Sequence, residues 1–286
     1  MANERLLILG GNSFLGLHLT RALATKYDTT PTYLTNKPSD LNFARCNLLS
    51  KPDLHSLGQF DCVIQYSSII AGRNKKQLNL EMVRNAVEYA NTTQAKYIYI
   101  SSSQVNFTID SDYRQSKIEA ERLIQEHSAN FVIIRPSAPY GAPLPFAFTR
   151  QQPFHVLANL VSRLPVVPVI GNGQYLRQPV HVTNLNALVE KCLTAPTRNR
   201  VYEIGGPKQL TFNAIIDIIS MARSKHTFKL HLPKFIFRIA SHMTNFIDAE
   251  LVNAVSSDEQ SNNETWREFG DLDLIPFEQG VTDLFG

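Results

Sequence analysis

The most informative stretch for the fold is Leu6-Leu7-Ile8-Leu9-Gly10-Gly11-Asn12-Ser13-Phe14-Leu15-Gly16. Its first four residues are an apolar run of the length of one strand, and the run stops at a pair of glycines. From Phe14 to Lys26 the apolar residues recur at the spacing of a helix. The stretch therefore predicts a buried strand, a tight glycine turn and a helix that begins at the turn.

The glycine turn has the residue types that hold a pyrophosphate at a helix N-terminus. Gly10 permits the tight turn, and Gly11 or Asn12 permits close approach of the backbone. Gly16 lets the helix pack near the strand, where free N–H groups and the helix dipole favour a phosphate. The spacing differs from a strict G-x-G-x-x-G, and an ordinary strand–helix turn is the alternative. The predicted dinucleotide contacts are Gly10, Gly11, Asn12, Ser13, Phe14, Leu15 and Gly16.

Short apolar runs alternate with helical patterns through the first half of the chain. This alternation predicts an α/β fold, a doubly wound parallel sheet of the Rossmann type with helices on both faces. Beyond residue 136 prolines are frequent, and the C-terminal part predicts a small lobe over the carboxyl ends of the strands. We expect a dinucleotide-binding core over 1–165, with 174–205 returning to it, and a substrate-binding lobe from 166–173 and 206–286. Predicted strands are 6–9, 31–35, 62–66, 97–100 and 131–134, and predicted helices are 14–26, 77–91 and 112–126.

The composition argues against several classes of protein. The net charge of +3 over 286 residues is too small to predict nucleic-acid binding. Three widely spaced cysteines and eight scattered histidines predict neither a disulfide framework nor a metal site. With no signal peptide and no apolar stretch of spanning length in the sequence, we expect a cytoplasmic protein without a transmembrane segment. The amphipathic segment 235–247 predicts a helix packed in the lobe or at a dimer contact, with a membrane contact as the alternative.

The end of the second predicted strand bears on the choice between NAD and NADP. An acid at this position accepts hydrogen bonds from the ribose 2′-hydroxyl and selects NAD. Here Thr35 is followed by Asn36 and Lys37, without an acid, and both of these are predicted cofactor contacts. Lys37 can face the 2′-phosphate of NADP, with Arg45 as a second candidate. The pattern favours NADP, and the alternative is a solvated Lys37.

A tyrosine and a lysine four residues apart form the second motif, Tyr113-Arg114-Gln115-Ser116-Lys117. Residues four apart share one face of a helix, and an ammonium close to a phenol lowers the pKa of the phenol. Tyr113 can then move a proton to or from a carbonyl or hydroxyl oxygen. Ser102 or Ser103, directly after a predicted strand, can hold the same oxygen. Taken alone, the motif is equally typical of a helix-start tyrosine with an exposed lysine.

Together these residues resemble the short-chain dehydrogenase/reductase superfamily, in particular its extended branch of NAD-dependent epimerases, dehydratases and reductases of sugar nucleotides. The glycine turn, the serines and the Tyr113–Lys117 pair match that branch, and the resemblance covers most of the chain. Asn47 stands where the family usually has an aspartate that touches adenine, and a serine pair beginning at Ser67 replaces two alanines. The resemblance implies further cofactor contacts at Asn47, Leu48, Tyr66, Ser67, Asn79 and Pro136.

The resemblance also implies a function. NAD or NADP would exchange a hydride with a nucleotide sugar, Tyr113 would act as general acid or base, and Arg177 would bind the substrate's phosphates. Tyr140 is a second substrate candidate, and epimerase and reductase share all of these residues. The alternative is a superfamily member that keeps the dinucleotide and loses the chemistry, such as a complex I accessory subunit or a redox-sensing regulator. A homodimer through the helix with the Tyr–Lys pair is a further implication.

Overall fold

The computed structural model describes residues 4–39, 41–69, 74–107, 111–144, 152–237 and 257–286. Its strands are β1 Arg5–Leu9, β2 Asp28–Tyr33, β3 Ala44–Arg45, β4 Cys62–Gln65, β5 Lys96–Ile100, β6 Phe131–Pro136, β7 Pro139–Tyr140, β8 Val166–Ile170, β9 Leu176–Arg177, β10 Val180–His181, β11 Arg200–Ile204, β12 Leu210–Thr211 and β13 Phe228–Leu232. Its α-helices are α1 Phe14–Leu23, α2 Lys51–Ser56, α3 Lys75–Thr93, α4 Asp112–His127, α5 Pro153–Arg163, α6 Val182–Thr194, α7 Phe212–Ala222 and α8 Phe277–Gly280.

A seven-stranded parallel sheet forms the centre of the molecule, in the order β11-β6-β5-β4-β1-β2-β3. Strand β1 has β2 on one side and β4 on the other, so the strand order reverses at β1. In open parallel sheets, ligands bind beyond the carboxyl ends of the strands at such a switch point. The sheet therefore directs a ligand to the turn that follows β1.

Both faces of the sheet are covered, which explains why β1 is apolar at four successive positions. Leu6 and Ile8 pack in one buried cluster with residues of α1 and α6. Leu7 and Leu9 point the other way, into a cluster with residues of α2, α3 and α4. Each such side chain stabilises the fold by about 1.5–3 kcal/mol when it is fully removed from water. The buried run of β1 thus holds the glycine turn on a rigid base.

A third apolar cluster lies in the C-terminal part of the molecule. It combines residues of α5, α7, α8 and β8, including Phe154, Val169, Ile216 and Phe277. Strand β13 pairs with β8 in parallel, outside the main sheet. Helix α5 belongs to this cluster although it lies within the range 1–165 expected for the core. The division of the chain into core and lobe stays a prediction.

The tail of the chain returns to the sheet. A 3-10 helix over Asn263–Phe269 packs against β11, the strand at one edge. Thr265 Oγ1 accepts a hydrogen bond from Glu203 N at 2.8 Å, and Asn263 Oδ1 accepts one from Gly205 N at 2.8 Å. Side chains of the tail therefore bind the backbone of Glu203 on β11 and of Gly205 just after it.

The predicted α/β class and doubly wound sheet are confirmed. The second strand is Asp28–Tyr33, earlier than the predicted 31–35, and the helix predicted over 77–91 spans Lys75–Thr93. The described ranges hold no helix long and apolar enough to cross a membrane. They also hold no group of three histidine, cysteine or acidic residues suited to a metal ion. Most of the amphipathic segment 235–247 lies outside the described residues.

Candidate active site

The glycine turn packs closely against β2 and against the residues that follow β4. Ser13 caps α1, and its Oγ accepts a hydrogen bond from Gly16 N at 3.1 Å. Gly10 has φ +77°, and a Cβ there would lie 2.8 Å from Ser67 N. A Cβ on Gly11 would lie 2.6 Å from Pro31 Cβ, and one on Gly16 would collide with the Gly10 carbonyl oxygen. Glycine is therefore required at three positions by backbone conformation or by close approach.

The remaining residues of the turn have separate contacts. Asn12 Nδ2 donates to Asn36 O at 3.1 Å, which joins the turn to the segment after β2. The buried Phe14 ring meets the rings of His18 and His155 edge-on, with centroids 4.9 and 5.2 Å away. Leu15 packs against the sheet face that carries α1 and α6. The first turn of α1 is thus held by the second strand region and by α5.

Two hydroxyls beside the turn are buried and lack a hydrogen-bond partner among the described residues. They belong to Tyr66 and Ser67, which directly follow β4. Burying a hydroxyl without a partner costs free energy, and a ligand or water that reached these groups would relieve that cost. Together with the close approach at Gly10 and Gly16, they fit a dinucleotide pyrophosphate and ribose at this edge of the sheet.

Asn79 on α3 fixes the loop that contains these hydroxyls. Its Oδ1 accepts from Ile69 N at 2.7 Å, and its Nδ2 donates to Ile69 O at 2.8 Å. The same oxygen lies 3.5 Å from Ser68 Oγ. The side chain is only 5% exposed and binds both polar groups of one residue. Asn79 therefore positions the loop beside the predicted cofactor site.

The residues predicted to contact the adenosine end lie at the surface or in a tight turn. Asn36 and Lys37 are exposed. Asn47 Oδ1 accepts from Leu49 N at 3.1 Å, so one of its two lone pairs is already engaged. Leu48 is buried, and its carbonyl accepts from Asn85 Nδ2 at 2.9 Å. Sequence reasoning missed Asn85, which shares α3 with Asn79 and fixes a second loop of the site.

Tyr113 lies in the first turn of α4 and is hydrogen-bonded to Ser102. The Ser102 Oγ also accepts from Gln104 N at 3.2 Å and caps a 3-10 helix over Ser103–Asn106. Burial raises the pKa of Tyr113 to about 12, the Ser102 bond opposes this shift, and the charge of Glu259 adds to it. The phenol is therefore protonated at neutral pH, contrary to the lowered pKa predicted from the Tyr–Lys spacing.

Lys117 points to the strand instead of to the Tyr113 hydroxyl. Its Nζ donates to Tyr99 Oη at 3.0 Å and to Ile100 O at 3.1 Å, and it lies 5.8 Å from the centre of the Tyr113 ring. Burial lowers the pKa of Lys117 to about 8, and the charge of Glu121 opposes this shift. The hydrogen bonds of the Lys117 ammonium are thus to Tyr99 and Ile100, on the strand. Nothing in the sequence spacing indicated Tyr99 as the partner.

Behind Lys117, a buried ion network supports the serine segment. Glu121 is 4% exposed and accepts hydrogen bonds from Ser101 Oγ and from Arg135 Nη2, the second at 2.6 Å. Arg135 also reaches Glu203 on β11 at 3.1 Å. Pro136 follows Arg135, is buried, and pairs with Ile204 in the register of β6 with β11. The network fixes the strand ends that carry the serines.

Ser103 has a partner that the sequence did not reveal. Its Oγ donates to Glu259 Oε1 at 2.7 Å, and Ala138 N donates to the same oxygen at 3.0 Å. Arg177 Nε lies 3.8 Å from Glu259 Oε2. Glu259 and Arg177 are both at most 7% exposed. The carboxylate from the tail therefore joins the candidate catalytic serine to the candidate phosphate-binding arginine.

The two predicted substrate residues are both buried. Arg177 also donates to Leu176 O at 3.0 Å and to the Ser257 carbonyl. Tyr140 has no exposed surface, and its ring packs against His181, Phe154 and Phe277. Tyr140 thus occupies a core position, and we do not assign it a substrate contact. Two open surface cavities, of about 330 and 490 Å³, adjoin neither Tyr113 nor Ser103.

A family model provides the observation that decides the classification. The model of the NAD dependent epimerase/dehydratase family matches residues 6–205, which include the glycine turn, the serines, the Tyr–Lys pair and Arg177. The chain belongs to this family. The predicted resemblance to NAD-dependent epimerases and dehydratases is thereby confirmed.

This family member is similar in sequence to mitochondrial NADH dehydrogenase subunits. A mitochondrial NADH dehydrogenase [ubiquinone] 1 alpha subcomplex subunit 9 of Dictyostelium discoideum is 25% identical over 204 residues, 67% of this chain and 55% of the relative. The chain thus spans about half the length of the curated relatives that it matches.

Among solved structures, UDP-glucose 4-epimerase of Thermotoga maritima with UDP-glucose matches with a TM-score of 0.77 and 16% identity. That match covers 98% of this chain and 97% of the epimerase. The dTDP-4-dehydrorhamnose reductase of Bacillus anthracis in complex with NADP matches with a TM-score of 0.75 and 18% identity, over 99% of both chains. At these identities the structures show that the fold is shared.

Proposed function

We propose that this family member binds NAD or NADP at the turn from Gly10 to Gly16. The support is the close approach at these glycines, together with the unpartnered hydroxyls of Tyr66 and Ser67. The N-terminus of α1 would bind the pyrophosphate. Lys37 would face the 2′-phosphate of NADP. The reductase with the same fold is complexed with NADP, and the family is described as NAD-dependent.

We further propose that the bound cofactor supports hydride transfer to or from a substrate carbon beside Tyr113. When bound, the dinucleotide supplies or accepts the hydride. Tyr113 carries its proton at neutral pH and would donate it to a carbonyl oxygen as that oxygen gains negative charge. Its pKa of about 12 lies above the operating pH, so the bound state would have to lower it for efficient transfer. Ser102, already bonded to Tyr113, would orient the same oxygen, with Ser103 as the neighbouring candidate. The contact between Tyr113 and Ser102, just after β5, carries the proposal.

Lys117 would have a positioning and electrostatic role in this reaction. Its buried ammonium lies on the strand side of Tyr113 and is fixed by Tyr99 and Ile100. With a pKa of about 8, it is mostly protonated at neutral pH and favours negative charge in the site. By resemblance to the family, its Nζ would also hold the nicotinamide ribose, and it would exchange one of its two present acceptors for that contact.

A sugar nucleotide is the substrate class that we propose to test first. The epimerase with the same fold is described with UDP-glucose, and the reductase is a dTDP-4-dehydrorhamnose reductase. Arg177 would bind the phosphates, provided that Glu259 releases it. Whether the hydride returns to the same molecule separates an epimerase from a reductase, and the residues described serve both reactions.

The test is a fluorescence titration with NADPH and NADH, followed by cofactor oxidation with a panel of 4-ketosugar nucleotides. We expect the native protein to bind NADPH and to oxidise it with a ketosugar nucleotide. Tyr113→Phe should keep the binding and lose about 10²–10⁴-fold of the rate, the usual contribution of a general acid. If the native protein and Tyr113→Phe bind the cofactor equally and neither consumes it, the oxidoreductase proposal fails.

A second candidate function is a non-catalytic, dinucleotide-binding accessory protein. One observation favours it: Glu259 bonds to Ser103 and Arg177, the groups expected to hold a substrate. The relatives at 24% and 25% identity are described as subunits of the NADH dehydrogenase alpha subcomplex. Those relatives are mitochondrial, whereas a cytoplasmic location of this chain stays a prediction from its sequence. The titration above discriminates, because an accessory protein binds the cofactor without turnover.

A further inference from the structure

Glu259 links the candidate catalytic serine Ser103 to the candidate phosphate-binding Arg177. Its Oε1 accepts hydrogen bonds from Ser103 Oγ and Ala138 N, and its Oε2 faces Arg177. The same carboxylate is close enough to Tyr113 to help raise the pKa of the phenol. A substrate with an oxygen at Ser103 and a phosphate at Arg177 would have to replace both contacts. Glu259 is thus in direct competition with such a substrate.

The backbone keeps this carboxylate at the site. Glu259 N donates to Leu176 O at 2.9 Å, and Leu176 N donates to Asp258 Oδ1 at 2.8 Å. Two residues later, Ser261 N donates to Gln178 Oε1 at 2.9 Å. These bonds attach the segment around Glu259 to β9 and to the residue after it. Only the Glu259 side chain has to move for the Arg177–Glu259 ion pair to separate, and the carboxylate stays near Arg177 afterwards because its backbone is fixed. The hydrogen bonds of Arg177 to the Leu176 and Ser257 carbonyls can persist.

The pairing changes the charge that an incoming anion meets. Arg177 and Glu259 are both buried, and opposite charges so close together and so little exposed to water cancel much of each other's field. A phosphate that approaches Arg177 also approaches the Glu259 carboxylate, which repels it. We propose that Glu259 is a specificity-determining residue: it competes for Arg177 and lowers the affinity of the substrate site for phosphate-bearing substrates.

This inference deepens the proposed function and rests on Arg177 as the phosphate-binding group of that site. Proteins discriminate between ligands by unfavourable contacts as well as by favourable ones. In this family member the unfavourable contact comes from the chain's own tail. A substrate that is uncharged at this end can bind without separating the Arg177–Glu259 pair. A sugar nucleotide can bind only after separating it.

The experiment measures UDP-glucose binding by isothermal titration, without cofactor and without turnover. The variants are Glu259→Gln, Arg177→Met and the double variant. Glutamine keeps the size of the side chain and an acceptor for Ser103 and Ala138, and it removes only the charge. We expect Glu259→Gln to bind UDP-glucose roughly tenfold more tightly than the native protein, because a buried competing charge is gone. The double variant should lose the whole gain.

Glu259→Asp is the matched variant that keeps the charge. Its shorter side chain withdraws the carboxylate from Arg177, so we expect a smaller gain than with glutamine. Near-ultraviolet circular dichroism and thermal unfolding check that each variant folds. Binding by Glu259→Gln that is equal to or weaker than native, or a gain that persists without Arg177, overturns the inference. The absence of hydride transfer counts against the proposed oxidoreductase function alone, because this measurement reads binding.

Discussion

The Lys117 ammonium donates a hydrogen bond to the Tyr99 hydroxyl at 3.0 Å, although Tyr113 is the residue one helical turn before it. Lys117 and Tyr99 are both buried, and the second acceptor of the ammonium is the Ile100 carbonyl. Two neutral acceptors compensate a buried positive charge only in part. The cost of burying the charge explains the lowered pKa of Lys117, and it makes a pH-dependent stability measurable.

The first prediction concerns the pH dependence of unfolding. Lys117 has a pKa of about 8 in the folded chain, below the value near 10.4 of an unfolded lysine. Between these values the Lys117 side chain binds more protons in the unfolded chain, so its own contribution to the free energy of unfolding rises with pH. That contribution totals on the order of 3 kcal/mol. Burial raises the pKa values of the three cysteines, so they lower the stability over the same interval. Urea unfolding at pH 7.5 and pH 10 should therefore show most of the Lys117 contribution as a difference between the native chain and Lys117→Met.

The control for this experiment is Lys51→Met, which removes a lysine whose side chain is 51% exposed. Its stability should change with pH as the native stability does. If Lys117→Met shows the same change in the free energy of unfolding between pH 7.5 and pH 10 as the native chain, the assigned pKa of Lys117 is wrong.

The second prediction concerns the glycine turn. Gly16→Ala brings a Cβ against the Gly10 carbonyl oxygen, which is backbone and cannot rotate away. We expect a loss of about 1–3 kcal/mol in stability, as is usual for overpacking, and the loss of saturable NADPH binding. Gly270→Ala is the matched control, because Gly270 has φ +80° with no atom within 4 Å of its Cβ position. It should cost only the conformational strain and leave NADPH binding intact, and equal loss of binding in both variants would contradict the assignment.

The third prediction separates NADP from NAD. Lys37 is exposed after β2, where the ribose of a bound dinucleotide is expected. Lys37→Ala should weaken NADPH binding by about fivefold and leave NADH binding unchanged, because an exposed ion pair contributes up to about 1 kcal/mol. Arg45→Ala, on β3, tests the second candidate in the same titration. Equal losses for both dinucleotides would show that Lys37 does not read the 2′-phosphate.

The fourth prediction concerns the loop after β4. Asn79→Leu leaves the N–H and the C=O of Ile69 without their partner, at a cost of about 2–4 kcal/mol. Asn79→Asp keeps the oxygen that accepts from Ile69 N and loses the donor to Ile69 O. In the aspartate variant a buried carboxylate oxygen faces the Ile69 carbonyl oxygen, so we expect it to lose at least as much stability as the leucine variant at neutral pH. Urea midpoints at constant m-value measure both changes, and an aspartate variant as stable as the native protein would contradict the two-bond account.

The sequence predicted the sheet and the glycine turn well because both depend on local patterns. Leu6–Leu9 has the continuous apolar run of a strand buried on both faces, and Ser13 is a residue type that caps helices. The short strand β3 and the helix α2 were missed, since two residues and six residues give too little periodicity.

Some contacts of the candidate site were predicted from the sequence, and others were missed because no local pattern indicates them. Tyr113 and Ser102 meet as expected, because α4 begins close to the end of β5. Glu259 lies 156 positions from the serine that it binds, and no pattern in the sequence indicates that contact. The partner of Lys117 was missed for a related reason: the side chain of Lys117 is long enough to reach the strand as well as Tyr113.

The bonds from Thr265 and Asn263 to β11 determine where the main sheet ends. A strand at the edge of a sheet presents unpaired N–H and C=O groups on which a second chain can add a strand. On β11 both the N–H and the C=O of Glu203 already bind the Thr265 hydroxyl, and just past the strand the N–H of Gly205 donates to Asn263, so a neighbouring molecule finds these groups occupied. The opposite edge, β3, is only two residues long and carries a charged Arg45. A chain cut after residue 256 would expose β11 to self-association, so the tail protects the protein against aggregation as well as reaching its candidate active site.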